Sequence, residues 1–329
     1  MIPFNKTILF VNSYVPLLER GWVSKDVKDT LNSLGISTDE IFLSEESDIK
    51  KLIPDRDHII VWPMSLTIGS SVEGPFLVYL LNKYQIPFIG PYANSISLCS
   101  KLKFKNNLLK FKSLSSPSHL IINESTDLNS ICSSFGFPSV LKTEYSYNSL
   151  GVRVINNATE LNEGIVELKK TFNQKLFIEK WERYREFTVA YLPKTKNKSD
   201  LSAALELKLK GNKQIIDSEV KNNNKLLSLI LPEKELLTIL ETSTLEVAKK
   251  LGVNGHFRLD YLMNKNGELF LSEINVIPFL SLKTPQISYF PLAFNLSKMI
   301  SYKDIIKRIV FHAYERLPFK DSVKKQCDN

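Results

Sequence analysis

The chain has 329 residues, 43% hydrophobic and 24% charged, the proportions of an ordinary globular protein with a sizeable core. The net charge of +8 invites a nucleic-acid partner, but the lysines are scattered among acidic residues without a binding motif, so we expect no nucleic acid. No apolar run is long enough for a membrane span or a signal peptide, and three cysteines lack disulfide or zinc spacing. We therefore expect a reduced, cytoplasmic protein without a membrane partner.

The N-terminal part of the sequence alternates between strand-like and helix-like segments. Strands are predicted over residues 7–12, 58–62 and 86–90, and helices over residues 25–34 and 75–84. The first helix is predicted to end at Gly35. This alternation is typical of a small α/β domain with a parallel sheet.

The rest of the chain has a mixed pattern. Residues 94–111 are predicted to be helical, and residues 118–192 alternate short strands with a helix over 158–172. A polar loop is predicted over 194–200, and a loose tail after residue 318. The elements predicted between them are strands near 202–209, a helix over 233–251, a hairpin over 255–278 and a helix over 302–314.

The hairpin segment carries the strongest local signal. Two apolar runs flank Asn266-Gly267, the dipeptide that best tolerates the two positive φ angles of a type I′ turn. Counting outward from that turn pairs Asp260 with Glu273 and Arg258 with Asn275. Residues two apart share a face of a strand, so these four side chains are predicted to lie on one side. The apolar residues predicted for the other side are Phe257, Leu259, Tyr261, Phe270 and Ile274.

The polar side of this hairpin suits a cation. Two facing carboxylates repel each other unless a positive charge lies between them. The oxygens of Asp260, Glu273 and Asn275 are hard ligands of the kind that Mg²⁺ prefers. Arg258 beside them would stabilise developing negative charge. The alternative is an ordinary hairpin whose charged side faces solvent, but the apolar run Val276-Ile277-Pro278 favours a buried strand end.

Two further segments suit a nucleotide. A strand ending in Lys142 precedes a loop over 145–151 and a second strand over 152–155. Hydroxyl, amide and backbone N–H donors beside a fixed cation suit a lid over a polyphosphate, although the loop is neither a Walker A loop nor a GxGxxG motif. The strand over 176–182 offers backbone groups and a tryptophan that could bind a purine. A plain β-hairpin and a solvated charged turn are the respective alternatives.

Together these segments resemble the ATP-grasp superfamily, in the branch of the D-alanine–D-alanine ligases. The resemblance rests on three segments. They are the hairpin ending Glu273-Ile274-Asn275-Val276-Ile277-Pro278, the lid loop over 145–151 (the flap), and Glu179-Lys180-Trp181 followed by Glu186-Phe187-Thr188. It covers roughly residues 7–300 and implies an α/β (α+β) ATP-grasp fold. The implied parts are a Rossmann-like pre-ATP-grasp domain over 1–92, a small subdomain with flap and adenine hinge over 93–190, a C-terminal subdomain with the hairpin over 191–315, and a flexible tail over 316–329.

The resemblance implies ATP and one or two Mg²⁺ ions, or Mn²⁺, as cofactors. The residues implied for ATP are Lys101, Lys142, Asn148, Ser149, Glu179, Lys180, Trp181, Glu182 and Glu186. Those implied for the metal are Asp260, Glu273 and Asn275, with Lys221 reaching the phosphates and Arg258 stabilising an oxyanion. In the implied reaction ATP phosphorylates a carboxylate, and an amine then attacks the acyl phosphate to form an amide or peptide bond.

The substrate half departs from the family pattern. Asn12-Ser13 stand where Gly-Gly is usual, residues 63–74 contain no histidine, and Phe279 replaces a glycine whose N–H helps to form the oxyanion hole. By the resemblance, Glu19 would bind the first substrate's ammonium, and Thr284 with Lys283 would bind the second substrate's carboxylate.

Three functions are consistent with this pattern. The first is a family ligase joining a small-molecule amino acid or carboxylate to an amine, with substrates other than two D-alanines. The second is a D-alanine–D-alanine, or D-alanine–D-X, ligase of cell-wall synthesis. The third is a non-catalytic nucleotide-binding protein, which would have little reason to keep Asp260 opposite Glu273. A homodimer through the N-terminal domain is compatible with each.

Overall fold

Three β-sheets organise the part of the chain described by the computed structural model. The residues described are 6–13, 23–68, 76–91, 93–123, 126–146, 149–182, 184–211, 216, 220, 226–282 and 288–317. The strands are β1 (Thr7–Ser13), β2 (Thr38–Leu43), β3 (Ile59–Pro63), β4 (His119–Ile122), β5 (Ser139–Thr143), β6 (Val152–Ile155), β7 (Leu176–Lys180), β8 (Arg185–Leu192), β9 (Leu201–Leu209), β10 (Leu227–Ile230), β11 (Phe257–Met263) and β12 (Leu269–Asn275). The helices are α1 (Val23–Ser33), α2 (Glu46–Lys50), α3 (Phe76–Lys83), α4 (Ala93–Ile96), α5 (Lys101–Leu108), α6 (Leu128–Ser134), α7 (Ala158–Phe172), α8 (Lys234–Lys250), α9 (Tyr289–Lys298) and α10 (Tyr302–Glu315).

The first sheet is parallel, as predicted, with the strand order β2-β1-β3. The predicted strand over 86–90 is wrong, because this segment contributes a single bridge between Phe88 and Val61. The third strand is β2, which was not predicted. Its first three residues are polar and only Leu43 is buried, as expected of an edge strand.

The second sheet is antiparallel, with the order β4-β7-β5-β6, and α7 packs against it. The predicted bounds of α7 are confirmed at both ends. Asn157 caps the N-terminus by accepting a hydrogen bond from the Glu160 backbone N–H, and Asn173 ends the helix in the left-handed conformation. Leu161, Ile165 and Leu168 form the buried side of the helix, at the spacing that places them on one face.

The third sheet is antiparallel, with the order β10-β9-β8-β11-β12, and it is buried on both faces. In β8, Phe187, Val189 and Tyr191 pack in the core that contains residues of α5 and α8. Ala190 and Leu192 point the other way, into the core shared with α9 and the first sheet. Successive side chains of a strand alternate between faces, so one strand contributes to both cores.

Two helical segments differ from the predictions. The helix predicted over 94–111 is interrupted at Ser100, whose extended backbone caps the N-terminus of α5. The second difference is α9, which was not predicted. Pro291 lies in the first turn of α9, where its missing N–H costs no intrahelical hydrogen bond. In the described parts of the chain, no helix is long and apolar enough to cross a membrane.

The predicted pairing of Asp260 with Glu273 and of Arg258 with Asn275 is confirmed. The predicted two-residue turn is wrong, because Asn264 and Glu268 close a three-residue loop in which Gly267 has φ +81°. A β-bulge beyond Asp260 restores the register.

The bulge also changes which side chains face the core. Leu271 is buried opposite Tyr261, where the predicted register places Ser272, and Phe270 lies opposite Leu262 and not Met263. Phe270 instead contacts the ring of Tyr184 edge-on, with 6.1 Å between the ring centroids. The predicted apolar side was therefore correct for four of its five members, and wrong for Phe270.

Candidate active site

A cleft lies between the second and third sheets. Residues of β5, β6 and β7 line one wall, and residues of β8, β11 and β12 line the other. The residues predicted for the nucleotide that line it are Lys101, Lys142, Ser149, Glu179, Lys180, Trp181 and Glu186. Arg258, Asp260 and Glu273 of the hairpin line the same cleft. Glu182 is half-buried beyond the hinge and is not among the lining residues that the structure describes.

A buried cluster of charges lies at one wall of the cleft. The Glu179 carboxylate, on β7, is 97% buried, and its two oxygens face two different ammonium groups. Glu179 Oε2 is 2.5 Å from Lys142 Nζ, and Oε1 is 2.6 Å from Lys105 Nζ. Lys142 projects from β5, next to β7 in the sheet, whereas Lys105 projects from α5. The pairing of strands and the packing of one helix therefore fix all three groups.

The electrostatics of this cluster favour an ionised carboxylate. Burial alone would raise the pKa of Glu179, but the charges of Lys142 and Lys105 lower it to about 2. Burial also disfavours the charged form of Lys142, yet the Glu179 carboxylate outweighs this effect and raises the pKa of that ammonium. For Lys105 burial dominates and lowers the pKa, with Glu179 acting in the opposite direction.

The hinge after β7 combines exposed backbone with aromatic walls. Lys180 has an exposed side chain, and its backbone N–H donates to the Ser118 carbonyl at 3.0 Å. Trp181 and Tyr184 are partly buried and both line the cleft. Burial raises the pKa of the Tyr184 phenol to about 12, so the phenol stays a neutral hydrogen-bond donor. Such a wall can pack against a planar ring while polar groups fix its orientation.

Lys101 connects the flap after β5 to the hairpin. Its ammonium donates to the Ser146 hydroxyl at 3.0 Å and lies 3.4 Å from Glu273 Oε2. Later in the flap loop, Ser149 has φ +59° and its hydroxyl donates to the carbonyl of Ile216 at 3.0 Å. The flap is thus tied to α5 through Lys101 and to Ile216, which lines the cleft.

The two facing carboxylates of the hairpin each have their own cation. Arg258 forks onto Asp260, with Nε to Oδ1 at 3.0 Å and Nη2 to Oδ2 at 2.9 Å. Asp260 also accepts a hydrogen bond of 2.8 Å from the Thr188 hydroxyl. Glu273 pairs with Lys101 and keeps a side-chain exposure of 30%. These contacts explain how the predicted like-charge pair is tolerated in the fold.

The oxygen atoms on the polar side of the hairpin suit a divalent metal ion. Within the described ranges, no group of three or more His, Cys, Asp or Glu side chains is arranged to hold a metal. The candidate donors are two carboxylates, Asp260 and Glu273, and the amide of Asn275. The Asn275 Oδ1 accepts a hydrogen bond of 3.2 Å from the Ile277 N–H, which leaves a second lone pair on that oxygen. So small a set of hard oxygens fits Mg²⁺, which usually keeps several waters and phosphate oxygens among its ligands.

Arg258 is held on a second side by an aromatic ring. Its guanidinium carbon lies 5.8 Å from the ring centroid of Tyr289, in the first turn of α9. Burial disfavours the charged guanidinium, but Asp260 outweighs this effect and raises the pKa of Arg258. Tyr289 lines the cleft, and burial raises the pKa of its phenol to about 12. A rigid, fully charged donor therefore faces the cleft.

Some of the residues predicted for ATP, for the phosphates and for the substrates fall outside the described part of the chain. Glu19, Asn148, Lys221, Lys283 and Thr284 lie outside the described residues. Phe279 is described, and it is partly buried. It packs against the core shared by the first sheet and α9, and it is not among the described residues that line the cleft.

The sequence analysis missed three residues of the site, namely Lys105, Thr188 and Tyr289. A signal existed for Lys105, which is four residues after Lys101 and so shares a helix face with it. Phe104 and Leu108 extend the same face, which is buried. Thr188 and Tyr289 had no local signal, because their places depend on strand pairing and on an unpredicted helix.

Comparison with solved structures defines the class of fold. The crystal structure of D-alanine–D-alanine ligase from Bacillus anthracis complexed with ATP matches with a TM-score of 0.73 at 19% identity, covering 94% of this chain and 97% of that one. The VanG D-Ala:D-Ser ligase from Enterococcus faecalis matches with a TM-score of 0.71 at 16% identity, covering 94% and 99%. The chain has the mixed α/β architecture of the ATP-grasp ligases.

Sequence comparison gives the family. The D-alanine–D-alanine ligase of Aquifex aeolicus is 25% identical over 289 residues, which are 87% of this chain and 92% of the relative. That of Clostridium acetobutylicum is 26% identical over 204 residues, 59% of this chain and 58% of the relative. The family model described as D-ala D-ala ligase C-terminus matches residues 107–311. The chain therefore belongs to the D-alanine–D-alanine ligase family, a family of ATP-dependent carboxylate–amine ligases.

Proposed function

We propose that the chain joins a carboxylate to an amine with ATP, through an acyl phosphate, and that its substrates differ from two D-alanines. The observation that carries the proposal is the meeting of two sets of groups in one cleft. One set is the lysine-held Glu179 beside an aromatic hinge, which suits a nucleotide. The other is the facing pair Asp260 and Glu273 with Arg258 beside it, which suits phosphoryl and acyl transfer.

The nucleotide would lie across the second sheet. The hinge residues Glu179 to Glu182 would bind the base, and Glu186 the ribose hydroxyls. Lys101, Lys142 and the flap residues Asn148 and Ser149 would bind the phosphates, together with Lys221. Fixed cations suit this step because phosphoryl transfer needs positioning and charge neutralisation more than covalent help from the protein.

Asp260, Glu273 and Asn275 would hold one or two Mg²⁺ ions, with Mn²⁺ as a substitute. Bound there, the metal would neutralise charge on the phosphate oxygens. For this to happen, Lys101 must leave Glu273, and Ser146 in the flap lies within its reach as the alternative partner. Asp260 can keep both Arg258 and Thr188, because its Oδ2 accepts from Arg258 alone among the described contacts and so has a second acceptor site.

The chain's own groups then serve two chemical steps. In the first, a carboxylate oxygen of the substrate attacks the γ-phosphorus, and ADP leaves. In the second, the amine attacks the acyl carbon, phosphate leaves with the carboxylate oxygen, and the amine loses a proton. Arg258, which is charged and fixed by Asp260 and Tyr289, would stabilise the oxyanion formed in the second step.

The residues of the first sheet support a changed substrate. Asn12 and Ser13 end β1, and the Ser13 N–H donates to the Ser65 hydroxyl just after β3, at 3.2 Å. Ligands bind beyond the carboxyl ends of parallel strands, so neutral amide and hydroxyl groups would face the first substrate there. Glu19, Lys283 and Thr284 stay the candidates for its charged ends and those of the acceptor.

One observation favours the second candidate, a true D-alanine–D-alanine or D-alanine–D-X ligase. Phe279 packs against the core shared by the first sheet and α9, so its side chain would leave open the pocket beside it. The activity named for the relatives, D-alanine–D-alanine ligation, would then be possible here if Asn12 and Ser13 can replace the usual Gly-Gly. The two candidates differ in the mass of their product.

The proposal extends to the cellular compartment, the oligomeric state and the domain boundaries. We propose the cytoplasm as its compartment and a homodimer through the first sheet, whose edge strand β2 exposes Phe42. We also propose the predicted domain divisions at 92 and 315. Since β8 belongs to the third sheet, we propose that the division predicted at 190 falls before Arg185.

The test is ADP release from the purified protein with Mg²⁺ and ATP, alone and with a panel of D- and L-amino acids. Mass spectrometry of the products distinguishes the candidates. A mass other than that of D-alanyl-D-alanine supports the first candidate, and the D-alanine dipeptide supports the second. Asp260→Ala and Glu273→Ala should each abolish ADP release, and unchanged yield in both would refute the metal assignment.

A further inference from the structure

Lys105 is a buried charge that the proposed chemistry does not use. Its side chain is fully buried, and it is not among the described residues that line the cleft, although Glu179 and Lys142 are. It lies behind Glu179, with its ammonium 2.6 Å from Oε1. Lys142 faces Oε2 from the cleft side. The carboxylate is thus held on both of its oxygens.

Stability does not explain a second buried lysine. Lys142 already neutralises Glu179, and replacing buried charges by apolar groups of similar size is often neutral or stabilising. What two ammonium groups on different oxygens provide is a fixed orientation and a fixed ionisation state. A carboxylate with one partner can rotate about its last bond, whereas one held at both oxygens cannot without breaking a contact.

We propose that Lys105 is a positioning residue that locks Glu179 as an oriented, acceptor-only group, and thereby makes the nucleotide site select a 6-amino purine over a 6-oxo purine. This inference rests on the proposed ATP site. An ionised carboxylate only accepts hydrogen bonds, and each oxygen has a second acceptor site besides the one facing a lysine. The exocyclic amine of adenine can donate to that site. A 6-oxo group presents lone pairs to it, so both groups stay unpaired.

The test compares ATP with inosine triphosphate, which carries a 6-oxo group in place of the 6-amino group. Binding of each nucleotide to the full chain is measured by calorimetry, so no second substrate is needed. We expect the wild type to bind ATP about 100-fold more tightly than inosine triphosphate, because a buried hydrogen-bonding group left unpaired weakens binding by up to about that factor. In Lys105→Met we expect ATP to bind about tenfold more weakly and the affinity for inosine triphosphate to change little. The ratio of the two affinities should therefore fall about tenfold.

Two further variants separate positioning from folding. Lys103→Met is the matched control, because Lys103 lies on the exposed side of the same helix, and we expect both affinities to be unchanged. In Glu179→Gln the ratio should fall as well, and adding Lys105→Met should cause no further fall, since Lys105 acts through Glu179. If Lys105→Met does not fold, Lys105→Gln keeps a donor without the charge and should show a smaller fall.

The possible results test the role of Lys105 separately from the proposed ATP-dependent function. Equal weakening of both nucleotides by Lys105→Met would overturn the positioning role and leave the ATP site standing. A wild type that binds both nucleotides equally would overturn the selection of the 6-amino group. A wild type that binds neither would refute the proposed function itself, and this inference with it.

Discussion

Replacing Glu179 by glutamine should destabilise the fold through the two lysines left behind. The amide keeps the size of the side chain but removes the negative charge that pairs with both Lys105 and Lys142. The pKa of Glu179 falls from 4.5 in a model peptide to about 2 in the fold, which corresponds to about 3 kcal/mol of stability. Breaking a buried ion pair by removing one partner typically costs about 3–5 kcal/mol, so the two figures agree.

The destabilisation should depend on pH in a defined direction. The folded pKa of Glu179 lies below the unfolded one, so its contribution is fully present above pH 4.5 and is lost as the pH falls towards 2. The difference in unfolding free energy between the wild type and Glu179→Gln should therefore be constant from about pH 7 to about pH 5, and should shrink below that range.

Urea unfolding followed by circular dichroism at several pH values measures this difference. Glu167→Gln is a suitable control, because Glu167 pairs with Arg153 at the surface and its loss should cost less than about 1 kcal/mol. The reasoning is wrong if Glu179→Gln costs no more than this control, or if its cost is the same at about pH 3 as at about pH 7.

Three further predictions concern the cleft and the flap. Arg258→Lys keeps a charge but loses the fork onto Asp260, and should lower kcat for ADP release about 100-fold with an unchanged melting temperature. Lys101→Met removes a flap contact and should raise the KM for ATP about tenfold, measured by steady-state kinetics. Gly151→Ala places a methyl group against the buried side chain of Thr143, and should lower the unfolding free energy in urea by about 1–3 kcal/mol. Normal kinetics, or normal stability for the last variant, would contradict the respective contact.

The hairpin illustrates how much of the site could be predicted from sequence. The positions of Asp260 and Glu273 followed from counting along two strands, and their pairing is confirmed. The turn was nevertheless wrong by one residue, and a bulge that no sequence pattern announces compensated for it. Phe270 lies between the loop and the bulge, where the pairing is shifted by one residue. Its side chain is therefore on the face opposite to the predicted one.

Elsewhere the failures have similar physical causes. Alternation of polarity predicts strands buried on one face, and it cannot detect an edge strand such as β2, in which only Leu43 is buried. The helix α9 was not predicted, and it accommodates Pro291 in its first turn, where a missing N–H costs no intrahelical hydrogen bond. Lysines on helices are nearly always exposed, so Lys105 was passed over although it shares a helix face with Lys101, and its role became evident only from its ion pair with Glu179.

Isotope transfer from the carboxylate tests the central claim most directly. The carboxylate substrate found in the amino-acid panel is labelled with ¹⁸O, incubated with the protein, Mg²⁺, ATP and the amine, and the released phosphate is analysed by mass spectrometry. An acyl phosphate requires that one labelled oxygen leave with each phosphate, and Asp260→Ala should release neither ADP nor labelled phosphate. Product formed with unlabelled phosphate would contradict the acyl-phosphate route, and ADP release independent of any carboxylate would contradict a ligase.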